Sequence, residues 1–272
     1  METGISALSQ LDPLRYPWTP PTTSGVMSGD DFLPARFVTG RQFGPRRFGQ
    51  RQQRSGDASI FSWLDDVLIE ANAAPLDSRF PVVSIGSNSS LDVLRRKFAN
   101  HSQPVSRILP LVRGQLHNVG VGHSAHVSKP GYIAAAPYFR TGECAAVWVS
   151  WLDEGQLAAL DETEPNYRRI QLSGGACPLV LETGARPGTF SLFTSRWGVL
   201  TDGNGVKLPF LDQQALFRRL AAIGSMDPDK DPDEARYFFE GPPARVVERL
   251  VMPSVQAGAR EWFRGAGLGR VP

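Results

Sequence analysis

Two short segments of the sequence contain residue types that can hold an oxygen atom and move a proton. The first, residues 82–88, reads Val-Val-Ser-Ile before the turn Gly86-Ser87-Asn88. A buried strand that runs into such a turn and then into a helix presents backbone N–H groups, which bind an anionic or carbonyl oxygen. The second segment, residues 160–169, ends a helical stretch in acidic residues that include Glu164. If the two strands involved are neighbours, these amides and the Glu164 carboxylate can together transfer a proton on an amide.

The spacing of apolar residues predicts the elements that position these groups. A strand over 80–85 leads into the turn, and a helix carrying Leu91, Leu94 and Phe98 follows it. Asp153 caps a second helix, which ends before Glu164. Further strands are predicted over 105–118, 132–135, 144–151, 167–172, 178–181 and 189–194, and helices over 59–74, from 209 onward and over 245–263. Short strands with two helices between them indicate an α+β fold built as a small mixed β-barrel, not a doubly wound sheet.

The pair of segments resembles the gamma-glutamylcyclotransferase-like superfamily. Its members carry Tyr-Gly-Ser-Asn after the first strand, and a Leu-Asp-x-x-Glu-Gly segment followed shortly by Tyr and a basic residue. The matching residues here are Gly86-Ser87-Asn88, Leu160-Asp161-x-x-Glu164, Tyr167, Arg168 and, between the two segments, Gly131-Tyr132-Ile133-Ala134. The resemblance covers about residues 80 to 195. It departs at Ile85, where the family has Tyr, and at Pro165, where the family has Gly.

The resemblance implies a barrel with Glu164 as the catalytic residue. The matching Glu of the family takes a proton from the α-ammonium of a gamma-glutamyl compound. The freed amine then attacks the side-chain amide carbonyl of the same molecule, which closes 5-oxoproline and expels an amine. The implied substrate-binding residues are Ile85, Gly86, Ser87, Asn88 and Tyr167, although Ile85 removes a hydroxyl from the turn. No cofactor is implied.

Each of these residues also has a structural explanation that the sequence leaves open. Glu164 can pair with Arg168 or Arg169 at the end of a helix, and the Gly-Ser-Asn turn can serve as a helix cap. Arg196, next to Trp197 at the end of a strand, can hold a substrate carboxylate or form a stacked surface pair.

Other residue clusters point less clearly to chemistry. His117, His123 and His126 fall within ten residues, but on a strand they do not share one face, so we predict no metal site. Ser124 and His126 lack the Gly-x-Ser-x-Gly context of a hydrolase and are expected at the mouth of the pocket. The acids of 226–234 resemble a calcium loop without its turn Gly and its final Glu, so calcium is not predicted.

The composition excludes several classes of function. The chain has 272 residues, 41% of them hydrophobic, and a formal net charge of +2, which favours neither nucleic acid nor a membrane surface as partner. Cys144 and Cys177 are expected to be reduced, buried thiols. The beginning of the chain has no signal-peptide pattern and no apolar run reaches ~18 residues. We therefore expect a cytoplasmic protein with a small-molecule substrate; the oligomeric state is not indicated.

Three regions are predicted along the chain. Residues 1–57 contain six arginines from Arg36 onward and no apolar periodicity, which predicts a disordered basic tail. The alternative for this segment is an arm that binds nucleic acid or an acidic partner. Residues 58–200 form the barrel with a preceding helix, and residues 201–272 form a C-terminal helical extension.

The leading hypothesis for function is Glu-assisted cyclisation of a gamma-glutamyl compound. A non-catalytic module that binds a small molecule or a partner on the same barrel is the competing class. Amide transfer or hydrolysis with another acyl group is a third possibility, because a fold does not determine its chemistry.

Overall fold

The computed structural model describes residues 11–35, 60–202, 205–226 and 232–265. Within these ranges the chain is a mixed α+β structure, as predicted. The strands are β1 (Gly25–Ser28), β2 (Asp31–Pro34), β3 (Phe80–Ser84), β4 (Ile108–His123), β5 (Ala135–Leu152), β6 (Tyr167–Ser173), β7 (Leu179–Leu181) and β8 (Thr189–Ser195). The helices are α1 (Ile60–Glu70), α2 (Leu91–Ala99), α3 (Glu154–Glu162), α4 (Gln213–Met226), α5 (Pro232–Phe239), α6 (Pro243–Leu250) and α7 (Pro253–Gly265).

The strands form one sheet in the order β2-β1-β4-β5-β3-β8-β6, and β7 pairs with β4 beside β1. All pairs are antiparallel except β3 with β8, which is parallel. The described strands β2 and β6, at the two ends of this order, are not paired with each other, so the closed barrel of the sequence prediction is not shown. The long β4–β5 hairpin forms the middle of the sheet because both strands carry apolar residues over most of their length.

Local sequence signals account for most element boundaries. The predicted helix over 59–74 is α1, which buries Ile60, Leu64 and Leu68 at helical spacing. The predicted helix over 245–263 is divided at Pro253, a residue that the sequence predicts to break or kink it. Helix α6 ends at Leu250 and Pro253 begins α7, because proline is tolerated at the first position of a helix. The predicted strand over 132–135 is extended chain that pairs only from Ala135 onward, as the start of β5.

The described residues of the N-terminal segment, 11–35, pack on the sheet, so the prediction of a disordered tail is wrong for them. Residues 25–28 form β1, whose backbone pairs with Ile108–Leu111 of β4, and Val26 and Met27 are fully buried. Further upstream, Tyr16 is also buried. The sequence shows no periodicity here because β1 contributes only a few residues, and its burial depends on a strand that comes much later in the chain. The arginines from Arg36 to Arg54, and with them the nucleic-acid hypothesis, lie outside the described residues.

The three largest apolar clusters lie around the sheet. One lies between the sheet and α1 and includes Trp151, and the second joins β1 and β3 to α2 and α3. The third packs the C-terminal helices around aromatic residues and also includes Ala125 and Ile133, which lie beside the β4–β5 hairpin. The second and third clusters therefore hold α2, α3 and the C-terminal helices around one end of the sheet.

Two smaller predictions concern thiols and membranes. Cys177 is buried as expected, but Cys144 is exposed, so the expectation of two buried thiols is wrong for Cys144. No helix among the described residues combines the length and the apolar composition that crossing a membrane requires.

Candidate functional site

A cavity of about 510 Å³ opens at the end of β3. Its wall includes the turn 86–88 and Ile85, together with Glu164 and Tyr167, which lie more than seventy residues later. These are five of the six predicted substrate-binding residues together with the predicted catalytic residue. The structure therefore brings both sequence segments to one cavity.

Glu164, Asn88 and Lys97 form a hydrogen-bonded group at the cavity wall. Glu164 Oε1 accepts a hydrogen bond from Asn88 Nδ2 at 2.9 Å and lies 2.5 Å from Lys97 Nζ. Lys97 Nζ also donates to Asn88 Oδ1 at 2.8 Å, which closes the triangle. The Glu164 and Lys97 side chains retain only 13% and 16% of their exposure, so this ion pair is screened less than one on the open surface.

The two structural roles that the sequence left open, a Glu164–arginine pair and a helix cap formed by the turn 86–88, do not match the contacts. Glu164 is not held by Arg169, which makes two 2.8 Å bonds to Asp161 instead, and its ion pair among the described residues is with Lys97, not Arg168. Asn88 does not cap α2 either: Ser90 occupies the N-cap position, without a side-chain capping bond. The Asn88 side chain is thus directed to Glu164 and Lys97, as a site residue would be.

Helix α3 places Glu164 at the cavity. It begins with a capping box in which the Asp153 side chain accepts from the Gln156 amide at 2.8 Å and the Gln156 side chain accepts from the Asp153 amide at 3.0 Å. At its other end the Glu164 amide donates to Asp161 O at 3.2 Å, which turns the chain toward β6. The condition that β3 and β6 be neighbours is not met, because β8 lies between them. Glu164 reaches Asn88 because it precedes β6, in the connection that crosses the end of β8.

Tyrosines line the cavity next to Glu164. Tyr167 donates its hydroxyl to Ala135 O at 2.8 Å, and Tyr16 accepts from Ala135 N at 2.7 Å. Burial raises the pKa of Tyr132 to about 12, and the nearby Glu164 carboxylate adds to this shift. Burial also raises the pKa of Tyr16 and of Tyr167, with Glu164 again contributing. These phenols are therefore neutral near pH 7 and face the site as hydrogen-bonding groups.

Arg196 is the predicted binding residue that the structure does not bring to the cavity. Its side chain is exposed, and its Nε donates to Tyr167 O at 2.9 Å. Trp197, next to it, stacks instead with the guanidinium of Arg260 on α7, 4.7 Å from its ring centroid. Arg196 holds the start of β6, so binding of a ligand carboxylate is not supported for this residue.

His126 lines the cavity, and its ring is hydrogen-bonded to a buried serine. Its Nδ1 lies 2.5 Å from Ser124 Oγ, which lies 2.6 Å from Ser195 Oγ. Ser124 is fully buried, so it is not placed to act as a nucleophile on a ligand in the cavity. The expectation that this segment lies at the pocket is confirmed for His126.

Two buried histidines predict how stability depends on pH. Burial lowers the pKa of His123 and of His126 to about 4, and the Arg260 charge adds to the shift of His126. The unfolded chain, with histidine pKa values near ~6.5, binds these protons at a higher pH than the folded chain. The two histidines therefore leave the free energy of unfolding at its full value above pH ~6.5 and lower it as the pH drops toward 4.

We expect the thermal midpoint to fall between pH 6.5 and 4, and to fall less steeply in a His123→Gln or His126→Gln variant. Circular dichroism melts across this range measure the slope for each variant. His117→Gln is the matched control, since His117 is only half-buried. Equal slopes in all four proteins would contradict the assignment of the pH dependence to His123 and His126.

Several residues of the site were missed from the sequence. Lys97 follows the buried Val93 by four residues on α2, so it shares an inward face, and a lysine on such a face is a usable signal. Arg96 and Lys129 also line the cavity. No local signal marks Tyr16, because its partner Ala135 lies 119 residues away.

The second cavity and the other side-chain clusters give weaker evidence of a functional site than the cavity at the end of β3. A second cavity of about 580 Å³ lies on the other side of Ile85 and Trp18, and the charged residues in its wall, Arg113 and Glu182, are paired with each other at 2.7 Å. Among the residues that the structure describes, no group of three His, Cys, Asp or Glu side chains is arranged to hold a metal ion. Most of the segment that resembles a calcium loop lies outside those residues.

Comparison with known proteins gives partial structural similarity. No family model matches the sequence, and no curated protein matches it. A solved structure titled gamma-glutamyl cyclotransferase has a TM-score of 0.34 and 14% identity, over 43% of this chain and 66% of that one. A structure from Arabidopsis thaliana has a TM-score of 0.32 and 13% identity, over 43% of this chain and 61% of that one. An uncharacterized protein from Homo sapiens has a TM-score of 0.32 and 18% identity, over 43% and 67%.

The chain spans slightly less than two thirds of the first two of these structures. At these values the similarity does not establish a family for this chain. The resemblance noted in the sequence therefore stays a prediction.

Proposed function

We propose that the cavity at the end of β3 binds a small gamma-glutamyl compound and that Glu164 moves the proton in its cyclisation. The observation that carries this proposal is the Lys97–Glu164 ion pair in the cavity wall, at 2.5 Å. An α-amino-acid head group has one ammonium and one carboxylate close together. It can take over both members of such a pair, with its ammonium on Glu164 and its carboxylate on Lys97.

This exchange of partners prepares the reaction. While Lys97 is bound to Glu164, its ammonium group occupies the carboxylate oxygen that would receive the substrate proton. A substrate carboxylate that draws Lys97 away, with Arg96 also in the wall, leaves Glu164 facing the substrate ammonium. Glu164 then accepts one proton from that ammonium, as a general base.

The remaining steps are balanced within the substrate. The freed α-amine attacks the δ-carbonyl carbon, a C–N bond forms, and the ring of 5-oxoproline closes. The bond from that carbon to the leaving nitrogen breaks as the proton held by Glu164 goes to the departing amine. The ring nitrogen then gives its second proton to the Glu164 carboxylate, which passes it to the released amine, so that the products are 5-oxoproline and the ammonium form of that amine. Because both reacting groups belong to one molecule, the site has mainly to fold the substrate and return the proton.

A non-catalytic binding module is the second candidate, and the same ion pair is the observation that favours it. A carboxylate held by Lys97 and Asn88 has a structural role without any substrate. In this case the cavity binds an amino-acid-like ligand without turnover.

We expect purified protein to release 5-oxoproline from gamma-glutamyl amines, measured by chromatography, and calorimetry of the same compounds measures binding separately. Lys97→Met should weaken binding and raise KM, because the substrate carboxylate loses its partner. Binding without any 5-oxoproline would support the binding module. If the protein neither binds nor converts these compounds, the proposed substrate class is wrong.

A further inference from the structure

The N-terminal segment inserts an aromatic side chain into the cavity. Pro13–Arg15 form one 3-10 turn, and Tyr16 directly after it is 3% exposed. The Tyr16 ring stacks on Tyr132 with centroids 4.6 Å apart, and Trp18 packs edge-on against both rings. This aromatic group fixes where the Tyr16 hydroxyl lies.

The Tyr16 hydroxyl lies against the turn after β3. Its oxygen accepts a hydrogen bond from Ala135 N at 2.7 Å. The Ser87 backbone lowers the pKa of Tyr16, against the larger rise that burial causes. A Cβ atom on Gly86 would lie 2.5 Å from this oxygen, so only glycine leaves room for it.

These contacts leave one hydrogen-bonding function of Tyr16 unused. A backbone N–H group can only donate, so the phenol oxygen is the acceptor in the contact with Ala135. The O–H proton is still to be donated, and it has no acceptor among the described residues. A buried donor without an acceptor destabilises the folded protein. Since Tyr16 lines the cavity, an acceptor atom of a ligand there can satisfy it.

We infer that the Tyr16 hydroxyl is a substrate-binding donor and that it holds the side-chain amide carbonyl oxygen of the ligand. This inference rests on the proposed function, which assigns the ligand carboxylate to Lys97 and the ammonium to Glu164. The amide oxygen is then the acceptor that remains. Tyr16 also places a phenol beside Ile85, the position at which the sequence lacks one.

The test compares two ligands that differ in one atom. Gamma-glutamylmethylamide carries the carbonyl oxygen, and its side-chain thioamide analogue carries sulfur, a much weaker acceptor, at the same position and charge. Calorimetry measures both dissociation constants for the wild type and for Tyr16→Phe. Glu164→Gln is added to each protein if the wild type converts the ligands. Tyr138→Phe is the control, because Tyr138 packs over Gly120, outside this cavity.

We expect Tyr16→Phe to lose about tenfold in affinity for the amide, the usual value of one net hydrogen bond. The preference of the wild type for the amide over the thioamide should fall toward one, while Tyr138→Phe keeps it. Loss of affinity for both ligands by the same factor would mean that Tyr16 only supports the cavity, and would overturn the inference. An unchanged preference in Tyr16→Phe would overturn it as well.

These measurements distinguish a failure of the inference about Tyr16 from a failure of the proposed cyclisation. Preferential binding of the amide that depends on Tyr16, without 5-oxoproline, would support the inference and contradict the cyclisation. Equal turnover in wild type and Tyr16→Phe would support the cyclisation and contradict the inference about Tyr16. Failure of the wild type to bind either ligand would overturn both. If Tyr16→Phe does not fold, 3-fluorotyrosine at position 16, a stronger donor of nearly the same size, should raise affinity for the amide severalfold; unchanged affinity would contradict the inference.

Discussion

We expect Glu164→Gln to abolish the release of 5-oxoproline while the protein remains folded. The glutamine oxygen can accept the hydrogen bonds from Asn88 and Lys97 that the Glu164 Oε1 atom accepts now. It cannot take the proton of the substrate ammonium, and loss of a general base typically costs about 10² to 10⁴ in rate. The rate and the thermal midpoint are to be measured on the same samples.

Two further variants make this expectation specific. Glu143→Gln removes a carboxylate that pairs with Arg140, away from the cavity, and should not change the rate. Combining Glu164→Gln with Lys97→Met removes both charges, so it should recover stability that the unpaired lysine costs, but not turnover. Comparable rates for wild type and Glu164→Gln would remove Glu164 from the mechanism.

Deletion of residues 1–35 is expected to prevent folding or to lower the thermal midpoint by about 10 °C or more. The deletion removes the buried side chains of Tyr16, Val26 and Met27. Each contributes about 1.5–3 kcal/mol by burial, and a loss of 1 kcal/mol lowers the midpoint by about 2–4 °C in a protein of this size. It also leaves the edge of β4 at Ile108–Leu111 without its paired strand.

A matched pair of point variants tests the same burial without truncation. Met27→Ala should cost about 2–5 kcal/mol, as large-to-small substitutions in a core do. Leu33→Ala on the neighbouring strand β2 should cost much less, because Leu33 is 41% exposed. A midpoint that is unchanged by the deletion would restore the original prediction of a tail that does not pack on the fold.

What the sequence alone predicted correctly depends on contacts between near neighbours in the chain. The helix over 60–70, the cap at Asp153 and the strand before Gly86 each follow from apolar spacing or from a capping residue a few positions away. Glu164 and the turn 86–88 are the exception: they were predicted to form one site from the resemblance to the gamma-glutamylcyclotransferase-like segments, on the condition that the two strands were neighbours. The structure does place them together, with Asn88 and Glu164 joined across 76 positions.

The tertiary structure alone decided the rest, because the deciding contacts join segments far apart in the chain. The sheet order sets β8 between β3 and β6, and no local pattern encodes which strands pair. Arg196 binds the Tyr167 carbonyl and not the cavity, since the end of β8 directs it outward. Tyr16 was predicted to be part of a tail because its stacking partner Tyr132 and its hydrogen-bond partner Ala135 are more than a hundred residues away in the chain. A short segment that buries few residues has no periodicity of its own, so only packing against the completed sheet reveals its place.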